Sequence, residues 1–163
     1  MQKKFEEHSD FNLSEINKQV LGEWDEIHAA ERSISEREGH PHFTFYEGPP
    51  SANGHPGIHH VLARTIKDTI CRYKTMKGFC VPRKAGWDTH GLPVELGVEK
   101  EMGITKDDIG KSVSIEEYNA HCRSNVMKFT AEWENLSRLM GYWVDMKKPY
   151  ITYENYYIES VWW

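Results

Sequence analysis

Four consecutive patterns between His42 and Arg83 limit the fold more than any other feature of the chain. "HFTFYEG" places aromatic and β-branched residues between Pro41 and Gly48 and reads as a buried strand. "EGPPSANGHPGIHH", from Glu47 to His60, follows with three glycines and three histidines. From Ile58 the apolar positions Leu62, Ile66, Ile70 and Tyr73 recur at helical spacing and Gly78 supplies a stop, so a helix is predicted over about 57–77. "FCVPR" then reads as a second short strand. Strand, glycine-rich turn, helix and strand make the βαβ unit of a parallel sheet, with a right-handed crossover.

The flanks are helical. Ile16, Val20, Trp24 and Ile27 fall on one face before the polar stretch "ERSISEREGHP". This predicts an N-terminal helical extension over 1–40, leading into a body over 41–163. Ser114 and Glu117 pair as a capping box. After them Ile115, Tyr118, Cys122, Val126, Phe129, Trp133, Leu136 and Met140 form one stripe up to Gly141. A single long helix with a core-facing stripe is expected there, and the stripe's tryptophan is read as packing. The chain ends in "NYYIESVWW", part-way through a further helix, so a piece of a longer protein is expected.

Composition narrows the class. The 163 residues are 39% hydrophobic and 28% charged, which suits one soluble globular domain with its own core. Twenty basic against twenty-five acidic residues give a net charge of -5, so no broad field draws a phosphate backbone and any nucleic-acid partner binds locally or elsewhere. "MQKKFEEHSD" has no signal-like apolar core, and no window reaches the ~18 apolar residues of a membrane span. A cytoplasmic protein without membrane contact is expected. Cys71, Cys80 and Cys122 are odd in number and widely spaced, without a CxxC, and are read as reduced thiols.

The turn carries the chemistry. Parallel sheets bind ligands at the carboxyl ends of their strands, where a helix N-terminus presents unpaired N–H groups and favours phosphate. Gly48, Gly54 and Gly57 allow close backbone approach, and imidazoles can donate to oxyanions while titrating near pH ~6.5. The stretch lacks the GK[ST] of a P-loop and the GxGxxG of a dinucleotide fold. His55 and His59, four apart with His60 beside them, also allow a metal-binding reading. Pro56 and Gly57 set His55 ahead of the helix, so these side chains need not converge and no metal site is expected. A nucleotidyltransferase is the other alternative.

"FYEGPPSANGHPGIHH" followed by "KAGWDTHGLPVE" resembles the catalytic domain of the class I aminoacyl-tRNA synthetases, and the second string is closer to the isoleucine branch than to the valine, leucine or methionine ones. The resemblance covers about Phe43 to Trp163. It implies an α/β fold, the first half of a Rossmann-like parallel-sheet nucleotide-binding domain, truncated before an editing insertion. It also implies formation of isoleucyl adenylate from isoleucine and ATP, with magnesium, and acyl transfer to isoleucine tRNA. The family's lysine-bearing "KMSKS" loop is expected beyond position 163, as is the editing insertion.

Site residues follow from the resemblance position by position. Gly48, Asn53, Gly54, Gly57, Ile58, His59 and His60 are expected to bind ATP, with His60 and His59 catalytic. Asp88 is expected to hold the substrate ammonium, and Pro49 to wall its side-chain pocket. One departure stands out: the family's His, aliphatic, Gly, His is here Gly57, Ile58, His59, His60. His60 carries over directly, whereas His59 or His55 is expected to replace the missing first histidine. His90 in "DTHGLP" is read as a residue that ties down its loop.

Overall fold

The computed structural model describes residues 11–163. Residues 1–10, which begin the expected extension and include the segment without a signal-like core, lie outside the described residues.

Helix α1, Leu13–Glu26, starts where Asn12 Oδ1 accepts the N–H groups of Ser14 and Glu15, at 3.2 and 3.3 Å. The polar stretch expected to connect it to the body instead forms a second helix, α2, Ala29–Ser35. An Arg32–Glu36 pair one turn apart supports that helix. Trp24 of α1 meets Trp143 edge-on with ring centroids 5.0 Å apart, and the Arg72 guanidinium lies over both rings. The extension therefore rests on the body through a cation–aromatic contact.

The body is built on three parallel strands, β1 (Phe45–Tyr46), β2 (Arg83–Trp87) and β3 (Asp145–Ile151), in the order β1-β2-β3. The first strand is much shorter than "HFTFYEG", and Tyr46 is exposed rather than buried. The second begins four residues later than "FCVPR" begins. Cys80 joins His42 only in an isolated bridge, and Pro82 has no N–H to donate to a ladder. β3 has no counterpart in the pattern reading. Its register against β2 slips between Lys84 and Gly86, where the Tyr150 ring crosses Gly86 and its hydroxyl donates to the Glu47 carbonyl. A Cβ at position 86 would collide with that ring, which gives this glycine a packing reason.

Helix α3, Ile58–Met76, runs as the spacing predicts and ends before Gly78, whose φ of +89° suits glycine alone. Its apolar stripe nevertheless faces outward, with Leu62 65% and Ile66 56% exposed. The inward face carries Arg64, Cys71 and Thr75. Arg64 lies over the rings of Trp133 and Tyr142, and buried Glu47 accepts from Lys67 and from the Tyr142 hydroxyl. A polar network thus joins α3 to the sheet where aliphatic packing is the usual solution.

Helix α4, Leu92–Met102, follows β2. The single helix expected after Ser114 is two, α5 (Ile115–Val126) and α6 (Thr130–Leu139). Ser114 Oγ does accept the Glu117 N–H at 3.1 Å. The break has a specific cause: the Phe129 N–H donates to the Ala52 carbonyl at 2.9 Å instead of to its own helix. Tyr118, Val126 and Trp133 keep the stripe buried, whereas Ile115 is exposed. Helix α7, Asn155–Trp162, closes the described chain. Among the described residues no helix is long and apolar enough to cross a membrane.

Candidate functional site

The two sequence motifs meet at the carboxyl ends of β1 and β2. Ser51 and Asp88 form a parallel bridge, and the Asp88 N–H donates to the Pro50 carbonyl at 3.0 Å. One turn further on, Asn53 Nδ2 donates to the Pro93 carbonyl at 3.1 Å, which ties the glycine-rich turn to the start of α4. Asp88 is half-buried, and among the described residues no group hydrogen-bonds its carboxylate. It caps no helix: the N-cap of α4 is Gly91, without a side-chain bond.

Beside it, Thr89 and Thr152 share a buried hydroxyl contact at 3.0 Å, and the Tyr153 N–H donates to Thr89 Oγ1 at 2.9 Å. His90 Nδ1 lies 3.4 Å from Thr152 Oγ1, at the edge of the same latch. This is the loop-tying position expected of it.

The turn itself is open on one side. Gly48 and Gly54 have neither a positive φ nor any atom within 4 Å of where a Cβ would stand. Gly57 precedes α3 with extended backbone, and a Cβ there would meet His59 Cε1 at 2.8 Å. Pro49 is half-buried and Ile58 is exposed at the head of the helix. The first turn of α3 holds no acidic side chain and Gly57 offers no capping group, so the positive end of the helix dipole is uncompensated.

The three histidines occupy different settings. His60 Nδ1 accepts the Gly57 N–H at 2.9 Å, so the neutral ring carries its proton on Nε2. Burial lowers the His60 pKa below its ordinary 6.5, and the charges of neighbouring His59 and Arg64 push the same way. His59 packs its ring on His60, with centroids 3.8 Å apart. His55 points elsewhere: its Nδ1 lies 2.6 Å from Glu132 Oε2 and its ring rests on Phe129. Among the described residues no three His, Cys, Asp or Glu side chains converge on a point that could hold a metal.

Helix α6 supplies contacts that sequence reasoning missed. Besides Phe129 and Glu132, its Trp133 donates from Nε1 to the Gly54 carbonyl at 2.9 Å. The same ring packs with Ala52 and Trp87 as a buried cluster. The separation of 79 residues between Gly54 and Trp133 leaves no local signal of this pairing.

A cavity of about 820 Å³ lies elsewhere. Trp24, Trp143 and Arg83 line it between α1 and the amino ends of β2 and β3, at the opposite end of the sheet from the turn.

The chain is similar to known proteins over nearly its whole length. Residues 19–163 match the family model described as tRNA synthetases class I (I, L, M and V). An isoleucine--tRNA ligase of Bacteroides fragilis is 70% identical over all 163 residues, and one from Porphyromonas gingivalis is 68% identical over the same span. A Dehalococcoides mccartyi isoleucine--tRNA ligase is 54% identical over 153 residues, 93% of the chain. The chain spans about 14% of the Bacteroides and Porphyromonas relatives' length and 15% of the Dehalococcoides one. Among solved structures, an Agrobacterium radiobacter LeuRS in a ternary complex with tRNA and LeuAMS superposes over 91% of this chain and 17% of its own. Its TM-score is 0.60 at 18% identity, a likeness of fold. With the family model matching all but the first eighteen residues, this chain belongs to the class I tRNA synthetases of the isoleucine, leucine, methionine and valine group.

Proposed function

We propose that the chain is the first half of the catalytic domain of a cytoplasmic isoleucine--tRNA ligase, with 1–40 as an extension and 41–163 as the body. The observation that carries this reading is the junction of the two motifs: the Asp88 N–H on the Pro50 carbonyl joins the strand end that bears this carboxylate to the turn leading into the N-terminus of α3, whose first turn holds no acidic side chain. One group suits an ammonium, the other a phosphate. Gly48 and Gly54 support the second assignment, because neither backbone angle nor packing requires a glycine at either position.

In this reading Asp88 takes the isoleucine α-ammonium and Pro49 flanks the aliphatic side chain. ATP lies across Gly48, Asn53, Gly54 and Gly57, with its phosphates toward Ile58, His59 and His60. Asn53 contributes through its backbone and Oδ1, since its Nδ2 serves Pro93. An isoleucine carboxylate oxygen attacks the α-phosphorus; that O–P bond forms, the α–β bridge bond breaks, and pyrophosphate leaves. The tRNA ribose hydroxyl then displaces AMP from the acyl carbon. The protein's part is positioning and charge stabilisation. Neutral His60 donates from Nε2–H, the nitrogen left by the Gly57 bond. His59 rather than His55 is assigned to the phosphates, because the His55 imidazole is held by Glu132. Magnesium accompanies the phosphates of ATP; the described residues offer it no ligand cluster, and no step above needs one from them.

The test is isoleucine-dependent exchange between ATP and pyrophosphate by the full-length protein, wild type against H60A. Loss of one such donor typically lowers turnover by about 100-fold or more. Exchange at the wild-type rate in H60A contradicts the reading.

A further inference from the structure

Trp133 lies outside both motifs and touches the turn at Ala52 and Gly54 and the helix behind it at His60. Its ring is only 1% exposed and packs against Ala52 and against Trp87, the residue before Asp88. Its Nε1–H anchors the Gly54 carbonyl at 2.9 Å. It meets the His60 imidazole edge-on, with centroids 4.6 Å apart and planes at 73°. From the other side the Arg64 guanidinium lies 4.9 Å from the indole centroid. Arg64 Nη1 in turn donates to Ser137 Oγ at 2.6 Å, and that hydroxyl donates to the Trp133 carbonyl at 2.7 Å. The indole is thus fixed by its own helix, by α3 and by the turn.

We propose that Trp133 is a positioning residue for adenylate formation: one indole holds the Gly54 carbonyl and the His60 ring in fixed relation, and so sets where Nε2–H is aimed. The inference rests on the assignment of His60 to the phosphates. The Gly57 bond to Nδ1 fixes one ring nitrogen, the His59 ring packs against the imidazole, and the edge-on indole supplies the contact from α6. Because the Gly54 carbonyl is tied to the same side chain, turn and imidazole shift together or not at all. Phenylalanine at 133 keeps the aromatic contact and loses the donor, whereas leucine loses both. The charged groups around the imidazole, His59, Arg64 and Lys67, all come from α3, and α6 faces it with Trp133 alone among the contacts described.

The experiment uses the full-length protein and compares wild type, W133F, W133L, H60A and the double variant W133L/H60A. It reads isoleucine-dependent exchange as kcat and KM, its pH profile, and thermal melting. For W133F, kcat is expected to fall about tenfold with the isoleucine KM within about twofold, as for loss of one hydrogen bond made to the catalytic turn. For W133L the fall is about 100-fold, the cost of a displacement near 1 Å at a reacting centre. In W133L the acidic limb of kcat/KM also moves up toward the ordinary histidine range, because His60 loses its cover. The double variant is expected to lose less than the product of the two single losses, since part of the Trp133 effect acts through that ring.

A tryptophan that only supports the fold gives a different set of results. Melting falls, the pH limb stays in place, and the W133L and H60A losses multiply. That outcome overturns the proposal, as does W133F with wild-type kcat. H60A with wild-type exchange overturns the phosphate assignment and the positioning role with it, so this one variant tells the two failures apart.

Discussion

The main-chain N–H of Asp88 donates to the carbonyl oxygen of Pro50 at 3.0 Å, across 38 residues of sequence. That bond makes the end of β2 a wall of the turn that follows β1. It places an acidic side chain and a helix N-terminus at one end of the sheet, where parallel folds bind their ligands.

Replacing Asp88 by asparagine tests the carboxylate without disturbing the backbone bond. Among the described residues the Asp88 side chain accepts no hydrogen bond, so D88N is expected to melt at the wild-type temperature. Loss of a charge-assisted contact worth about 1.5–3 kcal/mol lowers kcat/KM for isoleucine by about 10- to 100-fold. The KM for ATP should change little. Steady-state exchange with each substrate varied in turn measures both.

Gly54 separates stability from function. Its φ is not positive and a Cβ meets nothing within 4 Å, so G54A is expected to be neutral or stabilising by up to about 1 kcal/mol. If ATP lies against this backbone, the added methyl lowers exchange by about tenfold, a clash of about 1.4 kcal/mol. Paired melting and exchange assays check this, and a loss of both together would show that Gly54 is structural.

The depressed His60 pKa has a definite sign. The folded state holds the neutral ring more strongly than the unfolded chain does, so the unfolded chain takes up a proton first as pH falls. The stability contributed through His60 is therefore complete above about pH 6.5 and declines as pH drops toward the lower folded value. Melting of wild type and H60Q, compared between about pH 7.5 and 5.5, should show the steeper decline in wild type. The acidic limb of kcat/KM should likewise lie below pH ~6.5.

Under the turn, the Tyr142 hydroxyl donates to the buried Glu47 carboxylate, and burial together with that bond raises the Tyr142 pKa. Y142F leaves one Glu47 oxygen short of a donor in a dry site. A loss of about 1–3 kcal/mol is expected, read as a lower urea midpoint with an unchanged slope.

Much of this architecture is legible in the sequence, but unevenly. Helix α3 is marked by its period and by Gly78, but the period does not show which face is buried. The stripe from Leu62 to Tyr73 faces out, because Arg64 and Thr75 find partners beneath the helix. β3 escaped notice because Lys147, Lys148 and Pro149 interrupt any strand-like alternation. The long helix after Ser114 breaks at 127–129 because Phe129 turns its N–H to Ala52, a long-range demand that no local propensity contains. Within the site, Asp88 and His60 stood in recognisable strings. Glu132 and Trp133 did not, since their partners His55 and Gly54 lie 77 and 79 residues away.

The central claim is that one ligand bridges Asp88 and the head of α3. A crystal structure of the full-length protein with a non-hydrolysable isoleucyl adenylate analogue tests it most directly. The account predicts the analogue's ammonium within about 2.7–3.1 Å of the Asp88 carboxylate. Its phosphate-equivalent oxygens should lie at the first N–H groups of α3, beside His60. An analogue seated elsewhere, with Asp88 and His60 both untouched, would contradict it.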